Sequence, residues 1–71
     1  MTHQEHYAVF KVKHWGKPDA QLDWALGDCY TALNCHKDKP VTDPYVVKLW
    51  AEIDVIRDLF LLRNKPSKVK A

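Results

Sequence analysis

The sequence is poor in the residues on which most active-site motifs are built. It has two glycines in 71 residues, which excludes a glycine-rich phosphate-binding loop. It has two cysteines. If the segment between Cys29 and Cys35 is helical, its six residues place their Cα atoms about 9 Å apart. A disulfide needs less than about 7 Å, so an intrachain bridge is disfavoured. Charge of one sign is not in large excess, since the formal net charge is +2. That is too little to imply a nucleic-acid partner by itself. No run approaches the roughly 18 apolar residues of a membrane span. The opening MTHQEHYAVF lacks the charged and apolar regions of a secretory signal. The expectation is a reduced cytoplasmic protein with no membrane partner.

The remaining composition is that of a globular chain. At this length it forms one small domain over 1–71, whose core is marginal. Small scaffolds usually need a staple such as a disulfide, a metal or a partner. Residues 1–5 are polar and read as a mobile start. Residues 6–15, HYAVFKVKHW, alternate: Ala8, Phe10 and Val12 would face one side of a strand, with Tyr7, Val9, Lys11, Lys13 and Trp15 on the other. Period-two patterning with valines and aromatics predicts a strand or extended arm. A short helix would instead gather Tyr7, Phe10 and His14.

Two helices follow. Pro18 suits a first helical position and Asp19 favours the positive end of a helix. Leu22, Leu26, Cys29, Leu33 and His36 follow a 4-3-4-3 spacing, the seam of one helix packed on another. This predicts a helix over 18–36. The segment KDKPVTDP reads as a loop, with Asp43 as cap and Pro44 as first residue of a second helix over 44–64. Its seam is Val46, Leu49, Ile53, Ile56 and Phe60. Residues 65–71 form a basic tail. The expected fold is mainly α: an N-terminal strand or arm, then an antiparallel two-helix hairpin, dimeric through its surplus apolar surface.

That surplus is a second stripe on the 44–64 helix. Val55, Leu59 and Leu62 lie roughly opposite Val46 and Ile53. Either the N-terminal segment docks on it, or it is an interface with a partner or a second copy. The interface reading names Trp24, Val55, Leu59 and Leu62 as contact residues, with Trp15 and Tyr7 as outer candidates. Trp is enriched at binding hot spots. Trp24 lies off the seam of its helix, and its alternative place is beneath the N-terminal segment.

No pattern points to catalysis. Cys35 and His36 are neighbours in sequence, but adjacent helical residues diverge by about 100°, and no orienting group or oxyanion site accompanies them. The cysteine and histidine spacings do not match zinc pairs. No catalytic, cofactor or metal residue is assigned, and no cofactor or small-molecule substrate is expected. The function expected is that of a non-enzymatic protein-binding regulator or inhibitor. The alternative is a dimeric nucleic-acid-binding regulator using Lys11, Lys13 and Lys17. The order strand, helix, helix is similar to that of ribbon–helix–helix DNA-binding proteins, whose paired strands enter the major groove. The likeness is one of order alone. The 18–36 helix is long for that fold, and the acids of both helices would repel phosphate.

Overall fold

The computed structural model describes residues 2–63. These residues form three helices: α1 (His3–His14), α2 (Asp19–Cys35) and α3 (Pro44–Leu62). No strand occurs among the described residues. The basic tail expected over 65–71 lies outside them.

The strand expected over 6–15 is a helix, and it begins three residues earlier. The reason is local chemistry at its start. The Thr2 hydroxyl accepts the Glu5 amide at 3.2 Å, and the Glu5 carboxylate accepts the Thr2 amide at 3.0 Å. This capping box satisfies two of the donors that a helix start leaves open. The Thr2 amide also holds the Glu5 carboxyl below its ordinary pKa. Lys11, Lys13 and His14 occupy the last turn, where cations complement the helix dipole. Rings at helical spacing support the same backbone: His3 with Tyr7, His6 with Phe10, and Phe10 with His14 stack at 6.0–6.5 Å between centroids. A strand here would have left its backbone groups unpaired. Replacing Thr2 with Ala is expected to lower stability by about 1 kcal/mol, read as a drop in urea midpoint at constant m-value. An unchanged midpoint would show that the cap adds nothing to folding.

The start of α3 is capped in a different way. The Asp43 carboxylate accepts the Tyr45 amide at 2.9 Å, with Pro44 as the first helical residue. α2 starts after Pro18 with no side-chain cap. Its two ends are tied to α3 instead. Arg63 reaches Asp19 at 2.8 Å, and His36 meets Tyr45 edge-on with centroids 4.9 Å apart.

α3 is the centre of the molecule, and both other helices pack on it. Leu22, Leu26 and Cys29 of α2 share one core with Leu49, Ile53, Ile56 and Phe60 of α3. The opposite side of α3 is buried too. Ala51, Val55 and Leu59 lie there with Phe10 in the same cluster, beside Asp58, which accepts the Tyr7 hydroxyl. α2 thus covers the first stripe of α3, and α1 covers Val55 and Leu59 of the second, leaving Leu62 exposed.

α1 does not run along α3. His3 lies 2.8 Å from the Asp54 carboxylate and His14 lies 2.9 Å from that of Glu52. His3 and His14 are about 16 Å apart along α1, whereas Glu52 and Asp54 are separated by about 3 Å of rise and about 200° of turn. α1 therefore crosses α3 from one flank to the other. No helix among the described residues is long and apolar enough to span a membrane.

Candidate functional site

The residues proposed from sequence for protein contact separate into two groups. Val55 is 0% exposed and Leu59 2%. They are core residues rather than an open stripe, because α1 covers them. Tyr7 is half-buried and its hydroxyl is committed to Asp58; that bond and burial raise its pKa above the ordinary tyrosine value. Trp15 (59% exposed), Trp24 (74%) and Leu62 (66%) remain on the surface.

Trp15 is the organising residue of an apolar surface that spans two helices. It caps the C-terminal end of α1. It forms a hollow of about 430 Å³ with Leu59, Leu62 and Arg63. It also lines a hollow of about 360 Å³ with Lys11 and Val12. Val12 is 82% exposed. Leu59, nearly inaccessible from outside, closes the inner end of the larger hollow. The wall is held in place by Arg63, which donates to Asp19 at 2.8 Å and to the Trp15 carbonyl at 2.9 Å. Trp24 stands apart, over a hollow lined by Lys17, Ala20, Gln21 and Ala25.

The lysines of the nucleic-acid reading lose their common face. Residues two apart share a face on a strand but diverge by about 200° on a helix. The Lys11 ammonium lies 5.9 Å from the Tyr7 ring centroid and that of Lys13 5.7 Å from Phe10, on opposite flanks of α1. Lys17 belongs to the Trp24 hollow. The ribbon that would have entered a major groove is absent, because its residues are helical.

Two features went unread in the sequence. One is the buried polar pair His14–Glu52, with side chains 2% and 17% exposed. The other is the role of Arg63. Spacing held a signal for the first: His14 follows Phe10 by four residues and Tyr7 by seven, so it belongs on the buried face of a helix. Arg63 carried no signal, since its partners are distant in sequence.

Chemistry at the cysteines is quiet. Both are free thiols, Cys29 buried and Cys35 exposed. Burial first, then the nearby Glu52 charge, pushes the Cys29 thiol up to about 12, so it stays protonated and unreactive. Among the described residues no three histidines, cysteines or carboxylates converge as metal ligands. One thiol is expected to react promptly with a maleimide in native buffer and the second only on unfolding. Equal rates would contradict the burial. The sign of the pH effect follows. The unfolded thiol ionises near 9.0, below the folded value of about 12. Stability should therefore be undiminished below pH 9 and fall as pH rises toward 12, more steeply than in Cys29→Ala. Tyr7, whose pKa is also raised, adds to the fall in both proteins.

No protein-family model, curated protein or solved structure matches the chain.

Proposed function

We propose that this chain is a small, non-enzymatic protein-binding regulator or inhibitor, acting through the apolar surface where α1 ends against the end of α3. The observation that supports it is the pair of hollows sharing Trp15, bounded by the exposed Val12 and Leu62. Apolar side chains grouped round a concavity are a usual mark of a recognition site. Val12, Trp15 and Leu62 add little to the core, and their exposure has no folding role. We also propose that α2 and α3 form an antiparallel hairpin, with α1 clasped across it, and that the protein acts in the cytoplasm.

The test is a pull-down from lysate with nuclease, at low and high salt, comparing the wild type with Leu62→Asp and Val12→Asp. Both substitutions are at exposed positions, and circular dichroism confirms that each variant remains helical. A protein captured by the wild type at high salt and lost by both variants supports the reading. Nucleic acid recovered at low salt and lost at high salt would overturn it.

A further inference from the structure

We infer that the Trp15 surface receives an acidic amphipathic helix of another protein, one apolar side chain seated on Leu59 between Trp15 and Leu62 and its flanking carboxylates toward Lys11. This rests on the protein-binding reading above and names the chemistry of the partner.

Shape argues for a helix. Trp15 lines both hollows. A helix presents anchors one turn apart, at i and i+3 or i+4, about 5–6 Å between Cβ atoms, and so can straddle a single indole. Strand addition needs an open sheet edge, and no strand occurs among the described residues.

Charge argues for acid. Among the described residues the ionisable ones lining the two hollows are Lys11 and Arg63; Arg63 is paired with Asp19, so the positive charge at the rim is that of Lys11. The carboxylates of α3 that α1 reaches are engaged with it: Glu52 with His14, Asp54 with His3 and Asp58 with Tyr7. Lys11 at the rim favours an anionic partner and speeds its encounter. It disfavours a second copy docked through the same face, because a two-fold interface would set like charges together. The concavity favours a side chain from a protein over a bilayer, which accepts protruding rather than recessed apolar groups.

The test uses labelled designed peptides and fluorescence anisotropy. One is an amphipathic helix with two leucines one turn apart and glutamates on the flanks; its counterpart replaces glutamate with lysine. The glutamate peptide should bind at least about tenfold more tightly, the preference should narrow in Lys11→Glu, and binding should be lost in Leu62→Asp and Val12→Asp. Equal or better binding of the lysine peptide, or binding of neither, overturns the acidic assignment. The lysate capture, if lost in those same variants, then still stands for the broader reading. Stronger binding to phosphatidylserine-containing vesicles than to the glutamate peptide would overturn it in favour of a lipid surface. A dimer in sedimentation equilibrium that dissociates in Leu62→Asp would overturn it in favour of a second copy.

Discussion

Replacing Phe10 with Ala is expected to destabilise the protein by about 3–5 kcal/mol, the range for deleting a buried aromatic side chain. Phe10 is 6% exposed and belongs to the same core cluster as Leu22 and Leu26 of α2 and Val55 and Leu59 of α3. At about 0.05–0.15 kcal/mol per residue, a chain of 71 residues holds a total of about 4–11 kcal/mol. The substitution would therefore remove a large part of the margin. Urea denaturation followed by circular dichroism reads the loss as a lowered midpoint. The same variant should bind a hydrophobic dye, because loosening α1 uncovers Ala51, Val55 and Leu59. A loss below about 1 kcal/mol with no dye binding would mean that α1 is not what covers that side of α3.

The second large effect is expected at Glu52. Its carboxylate lies 2.9 Å from His14 Nε2, and the imidazole is buried, with Nδ1 lacking a hydrogen-bond partner. Replacing Glu52 with Ala leaves both ring nitrogens without a partner. An unsatisfied buried polar group costs about 1–3 kcal/mol. Replacing His14 with Phe should be milder, since the ring can keep its place 6.0 Å from Phe10 and the nitrogens are gone. In the His14→Phe background, Glu52→Ala should cost at least about 1 kcal/mol less than in the wild type, the range of coupling measured for groups in contact. Strict additivity in this cycle would show that the pair is not energetically linked.

These two residues mark where sequence reading succeeds and where it stops. The helical character of the middle and end of the chain was legible, because the 4-3 spacing of Leu22, Leu26 and Cys29 reports a buried face directly. The second apolar stripe of α3 was legible as well, but what covers it was not. His6 to Trp15 supports two periods at once: Ala8, Phe10 and Val12 alternate, while Tyr7, Phe10 and His14 follow helical spacing. The deciding signal lay outside that window, in Thr2 and Glu5, three residues apart and able to cap each other. Once the segment is a helix, Phe10 turns inward and Val12 outward, so the surface shifts from Val55 and Leu59 to Val12 and Trp15. Asp54 and Asp58 have the ordinary look of helix-surface acids. That they meet His3 and Tyr7 depends on a crossing angle that no local pattern encodes. Trp24 was visible as a residue off its seam, and it is exposed.

The crosswise seat of α1 also sets an order of events as the chain folds. Its bonds to α3 join residues 51, 51 and 38 positions apart. The ring contact between His36 and Tyr45, by contrast, joins residues nine positions apart. Short loops close at lower entropic cost than long ones, so α2 and α3 can zip together from their connecting turn before α1 arrives. During synthesis α1 is made before the surface it must cover. Until the two meet, the apolar side of α3 is open to any other chain nearby. The capping box at Thr2 then has a kinetic role: it favours α1 as a helix during the wait and discourages the alternating segment from pairing as a strand with a neighbour.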